Sequence, residues 1–123
     1  MTKKILIIDD DPIIVKYLST VFQDSGYETC VANSGLEGMD ILKKEAPDLI
    51  TLDLQMPGEW GSRFYRKIRK SPEFKDIPII VVTGLDGRHA IQNAVAVIRK
   101  PFDPEFLLKT VEGAIGPANG NPL

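Results

Sequence analysis

The sequence holds only one cysteine, one histidine and one tryptophan in 123 residues. A lone cysteine, Cys30, rules out an internal disulfide and any cysteine-based metal site. It lies in the apolar run "YETCVA" (27–32) and reads as a small buried hydrophobe rather than a reactive thiol. His89 sits in a polar segment and reads as solvent-exposed, not catalytic. Neither sign of charge dominates: fifteen basic against seventeen acidic side chains leave a net charge of −2. That balance gives no electrostatic reason to expect nucleic acid or membrane as a partner. No stretch at the N-terminus has the apolar length of a signal peptide, and none elsewhere approaches the length of a membrane span, so a cytoplasmic location is the expectation. Internal repeats and low-complexity tracts are missing as well. What remains is 43% hydrophobic and 26% charged residues, the balance of one ordinary domain with a single core.

Apolar runs and turn formers alternate along the chain. Ile5 to Ile8 is aliphatic at consecutive positions, as expected of a strand buried on both faces. Asp11 followed by Pro12 predicts a helix start, with Asp as N-cap and Pro at the first helical position, and Gly26 ends that helix. "YETCVA" predicts a second, weaker strand. "SGLE" (34–37) has the form of a capping box and opens a helix through about Glu45, stopped by Pro47. "DLITLDL" (48–54) predicts a third strand and "QMPGEWG" (55–61) a loop with Pro57, Gly58 and Gly61 as turn formers. Phe64 and Ile68 mark a third helix ending near Lys70. Its basic run "RKIRK" (66–70) reads as a solvated face rather than a kinase-docking or nucleic-acid site. Pro78 introduces the strand "IIVVTG", the polar residues 86–94 allow a short helix, and "AVAVIRKP" supplies a last strand. A final helix over 103–116 has another Asp-Pro start. Met39 and Met56 read as packing residues. The domain is expected over 1–116, with 117–123 a linker-like or frayed tail.

Buried parallel strands need helical crossovers, so the alternation predicts an α/β fold: an open parallel sheet covered by helices on both faces. Its size is that of the flavodoxin-like doubly wound fold, a (βα)5 three-layer sandwich whose five strands run in the order 2-1-3-4-5. Ligands bind such sheets beyond the carboxyl ends of the strands. Those ends carry Asp9 and Asp10 after the first strand, Asp53 after the third, Thr83 after the fourth and Lys100 after the fifth. Two carboxylates about 4 Å apart repel by roughly 4 kcal/mol at an effective dielectric of 20. One lysine cannot balance three of them, whereas a hard dication such as magnesium can. A carboxylate is also a competent nucleophile toward phosphorus, with Lys100 and the Thr83 hydroxyl as donors to phosphoryl oxygens.

These residues resemble the receiver domain of two-component response regulators over residues 3 to 115. The motifs are "DD" (9–10), "DLQMPGEWG" (53–61), which fits the D-x-x-M-P-x-x-x-G pattern, "VVTG" (81–84) and "RKPF" (99–102). The resemblance implies that Asp53 accepts a phosphoryl group from a histidine kinase or a histidine phosphotransfer protein. It implies that Asp10 and Asp53 ligate Mg2+ (or Mn2+) directly, Asp9 through water, and the backbone carbonyl of Gln55 as a further ligand. Thr83 and Lys100 would contact the phosphoryl oxygens, Gly84 would keep the entrance clear, and Lys100–Pro101 would be cis. By the same alignment Asp11 is a helix cap and not a ligand. Such a domain is a switch and no classical enzyme, although it assists its own phosphorylation and dephosphorylation. It would signal to a downstream protein or output domain, and would bind neither nucleic acid nor membrane. With His89 as the single histidine, no relay of several phosphohistidines can lie within the chain.

The sequence also departs from the family pattern. Sixteen residues separate Thr83 from Lys100, fewer than usual, and the "A-G-A-x-x-Y" segment is missing, so the helix between the last two strands should be short or irregular. Val97 stands where relatives commonly carry Tyr or Phe, so the usual inward turn of an aromatic ring has no counterpart. Trp60 occupies a loop position that is often acidic, as a partner contact, a lid beside Asp53 or packing against the third helix. Two other readings exist. A haloacid-dehalogenase-type phosphohydrolase would use Asp9 of "IIDDDP" as nucleophile, but no acidic pair follows Lys100 and no cap is inserted. A phosphorylation-independent binding module would leave the intact acidic set without a purpose.

Overall fold

The computed structural model describes residues 2–55, 60–84 and 94–118, apart from the side chain of Trp60. Five strands form one sheet in the order β2-β1-β3-β4-β5, and every neighbouring pair is parallel. They are β1 (Lys4–Ile8), β2 (Glu28–Ala32), β3 (Leu49–Leu52), β4 (Ile79–Thr83) and β5 (Ala96–Arg99). The helices are α1 (Pro12–Asp24), α2 (Gly35–Glu45), α3 (Trp60–Lys70) and α4 (Pro104–Ile115). This is the flavodoxin-like topology expected from the alternation of elements.

Side chains alternate across each strand, so one sheet feeds two cores. Leu6, Ile8, Ile50, Leu52, Ile79 and Val81 pack on one face with Leu42 of α2 and Phe64 and Ile68 of α3. Ile5, Ile7, Leu49, Ile80 and Val82 pack on the other with Leu18 and Phe22 of α1 and Leu107 and Val111 of α4. Val97, in register with Val81, is half-buried against the first core. Because both faces are covered, β1, β3 and β4 are mostly apolar; the polar exceptions are Lys4 at the start of β1, Thr51, buried in mid-strand, and Thr83, buried at the end of β4.

The helix starts follow from their caps. Asp11 Oδ1 accepts the Ile13 N–H at 2.9 Å and Asp103 Oδ1 accepts the Glu105 N–H at 3.0 Å, each ahead of a proline at the first helical position. The capping box of α2 is only half formed. Ser34 Oγ accepts the Glu37 N–H at 3.1 Å, but the Glu37 carboxylate takes the N–H of Asn33 at 3.4 Å instead of that of Ser34. Gly26, at φ +92°, turns the chain from α1 into β2.

One boundary differs from the sequence reading. α3 begins at Trp60, so Gly61 lies inside the helix and not in a turn. Its requirement is space: a Cβ there would fall 2.5 Å from the carbonyl oxygen of Asp53 and 2.6 Å from Leu54 Cα. At the far end of the sheet the packed chain runs past α4. Tyr27 donates its hydroxyl to the Gly116 carbonyl at 2.9 Å, and the Lys3 N–H donates to Ala118 O at 2.6 Å. Residues 86–93 of the segment expected to form a short or irregular helix, His89 among them, together with Met56, Pro57, Gly58 and residues 119–123, lie outside the described residues, and so does the role of the Trp60 ring.

Candidate functional site

The site is built at the carboxyl ends of β1 and β3. These strands are neighbours with Ile8 in register with Leu52, so the residues that follow, Asp9 and Asp53, emerge side by side. Each carboxylate is then locked in the same way. Asp9 Oδ1 accepts the N–H of Asp11 at 2.9 Å, and Asp53 Oδ1 accepts the N–H of Gln55 at 2.9 Å. Both are turns in which an aspartate caps the backbone two residues on. They leave Oδ2 of each group pointing to a common partner, Lys100. Its ammonium lies 2.8 Å from Asp9 Oδ2 and 3.3 Å from Asp53 Oδ2.

Lys100 reaches this position from beyond β5, on the far side of β4. Its backbone N–H donates to the Thr83 carbonyl at 2.9 Å, and the Lys100–Pro101 peptide is cis. Thr83 itself is fully buried at the end of β4. Asp9 and Asp53 are 2% and 4% exposed, so two carboxylates are held almost out of water, while Asp10 is exposed at the rim. One oxygen from each of Asp9, Asp10 and Asp53 lies within 4.8 Å of the others. Gln55 spreads its side chain over Gly84, where an added Cβ would meet the amide oxygen at 2.8 Å.

Charge is unbalanced here. Three carboxylates face one ammonium. Burial pushes the Asp9 carboxyl above the usual carboxylate range, and the Lys100 hydrogen bond and the Asp11 N–H only partly pull it back. Burial alone would lower the Lys100 ammonium, but the Asp9 hydrogen bond and the charges of Asp9 and Asp53 outweigh it and raise it overall. The lysine is therefore firmly cationic, and the surplus in the cluster is negative. An all-oxygen set with surplus negative charge fits a hard dication, not a soft metal.

The structure thus brings Asp9, Asp10, Asp53 and Lys100 together, with Thr83 and Gln55 flanking them. Two contributions escaped sequence reasoning: the backbone N–H groups of Asp11 and Gln55 as orienting donors, and the helix residue Gly61 against the Asp53 carbonyl. The D-x-D spacing of Asp9 and Asp11 hints at the first. Only the fold reveals the second.

Comparison with known proteins bears on the family and the fold. The family profile described as "Response regulator receiver domain" matches residues 5–112. Protein Rrf1 of Nitratidesulfovibrio vulgaris is 36% identical, over 99% of this chain and 90% of that protein. The polar-differentiation response regulator DivK of Brucella ovis is 32% identical, over 96% of this chain and all of that one. The chemotaxis response regulator CheY4 of Vibrio cholerae superimposes with a TM-score of 0.83 at 32% identity, covering 93% of this chain and 99% of that chain.

Proposed function

The chain belongs to the response regulator receiver family, and from that premise we propose that Asp53 is its phosphoacceptor, loaded by a histidine kinase or a histidine phosphotransfer protein. As a receiver it is a component of two-component signalling and not a classical enzyme. The observation that carries the reading is the Lys100 ammonium bridging Asp9 and Asp53 at 2.8 and 3.3 Å beneath a third carboxylate.

In the proposed reaction an oxygen of Asp53 forms a bond to phosphorus, and the bond from phosphorus to the donor nitrogen breaks, the imidazole keeping the electron pair. The product is an acyl phosphate. The Gln55 N–H holds Oδ1 and so fixes the rotation of the attacking carboxylate. Lys100 stays protonated and can follow the new phosphoryl oxygens, since its ammonium already sits between the two buried carboxylates. Thr83 would add a hydroxyl donor from the end of β4. Asp9, Asp10, Asp53 and the Gln55 carbonyl would hold Mg2+, which when bound supplies charge neutralisation and orientation of the phosphoryl oxygens. In this way the domain assists its own phosphorylation and dephosphorylation. The added charge would shift a pre-existing balance between two conformations. Val97 offers no ring to turn inward, so that balance would be expressed by other groups.

Transfer of labelled phosphate from a histidine kinase tests the assignment. Label should be lost in Asp53→Asn and on removal of Mg2+. Transfer that survives Asp53→Asn but not Asp9→Asn would point to the phosphohydrolase arrangement instead.

A further inference from the structure

α3 is an unusual helix for a chain of net charge −2. Its eleven residues carry Arg63, Arg66, Lys67, Arg69 and Lys70 and no acid. Several of these stand three or four residues apart, where like charges repel along a helix: Arg63 with Lys67, and Arg66 with Lys70. Arg69 has a structural task, since its guanidinium donates to the carbonyls of Lys75 and Ile77 and lies over the Tyr65 ring at 4.9 Å. Arg66, Lys67 and Lys70 are exposed, and none of the ion pairs found among the described residues uses them.

Beside this charge lies an apolar slot. Gly38 lets α2 and α3 touch, because a Cβ there would come 2.9 Å from the Phe64 ring and 3.1 Å from Ile8. One turn earlier Gly35 has no side chain to fill the gap, and a slot opens, lined by Gly35, Leu36, Met39, Arg63, Phe64 and Lys67. Leu36 stands on its rim at 65% exposure, one of the most exposed large hydrophobics found. An apolar slot with cations along one wall is complementary to an apolar side chain followed by carboxylates.

The geometry points to the α2–α3 face as a docking surface for an acidic protein segment, which seats one apolar side chain between Leu36, Met39 and Phe64 and sets its carboxylates against Arg66, Lys67 and Lys70. A nucleic acid would answer the charge but has no use for the slot, so the apolar lining favours a protein partner. This goes beyond the phosphoryl chemistry and holds whether or not Asp53 carries phosphate.

The test is a nuclear magnetic resonance titration of the full chain with a short synthetic peptide bearing one leucine among glutamates. Its alanine counterpart and an oligothymidylate of equal charge serve as comparison probes. The leucine peptide should shift the amides of Leu36, Met39, Phe64 and Lys67, and bind more tightly than either comparison probe. Arg66→Glu with Lys67→Glu should weaken it by about fivefold or more. Leu36→Asp should weaken the leucine peptide selectively, whereas Lys16→Glu on exposed α1 should change nothing. Equal binding of the alanine peptide, tighter binding of the oligonucleotide, shifts centred on another face, or no shifts at all would overturn the proposal.

Discussion

Removing the exposed carboxylate of the cluster should stabilise the metal-free protein. One oxygen of Asp10 lies within 4.8 Å of oxygens from Asp9 and Asp53. No hydrogen bond to its carboxylate is found among the described residues, so Asp10→Asn removes charge without orphaning a partner. Each pair repels by about 1 kcal/mol at that distance even at the dielectric of water, the appropriate limit for an exposed group. Asp9 and Asp10 are adjacent in sequence, so part of their repulsion persists in the unfolded chain. The Asp10–Asp53 pair is created by folding. The variant should therefore gain about 1 kcal/mol in chelator, which for a chain of this length raises Tm by roughly 3–6 °C. Magnesium should reverse the order. A ligand at a hundredfold its Kd adds about 2.7 kcal/mol to the protein that binds it, and the variant, short of one proposed metal ligand, gains less. Thermal melts of both proteins in chelator and in excess Mg2+ measure this directly. A lower Tm for Asp10→Asn in chelator, or equal stabilisation of both by Mg2+, would refute the electrostatic account.

Other consequences concern the frame around the site. Gly61→Ala should cost about 1–3 kcal/mol in urea unfolding, since its Cβ would meet backbone atoms of Asp53 and Leu54 that cannot rotate away; an unchanged midpoint would show that α3 can slide. Thr51→Val should stabilise by about 1 kcal/mol, because the Thr51 hydroxyl is buried with no partner, and a loss of stability would reveal a bond that it makes. Burial pushes the Cys30 thiol up to about 11, so at pH 8 only about one molecule in a thousand is thiolate, and modification by a disulfide reagent should be roughly a hundredfold slower than in urea. The sign of the linkage follows: a thiol whose folded pKa is raised loses its contribution to stability as pH climbs through about 11, and Cys30→Ala should flatten that decline.

Much of the fold was legible because local and global preferences agree. Both Asp-Pro starts became capped helices, and the aliphatic run at 5–8 became a strand covered on two faces. The acids were legible because they follow apolar strands directly, and a doubly wound sheet puts such ends on one edge. What stayed hidden depends on contacts between distant elements. Gly61 looks like a turn former in "MPGEWG", and only the approach of α3 to the Asp53 carbonyl explains it. The S-x-x-E pattern at 34–37 announced a cap but not that Glu37 would choose the N–H of Asn33. The run at 66–70 shows its charge in sequence, whereas the slot beside it arises from Gly35 on another helix.

Reduction of the phosphorylated protein with borohydride, followed by peptide mapping, tests the central claim most directly, because an acyl phosphate is converted to an alcohol at the residue that carried it. The account predicts homoserine at position 53 and nowhere else, formed only when Mg2+ was present during loading. Homoserine at position 9 or 10, or loading that proceeds undiminished in chelator, would contradict it.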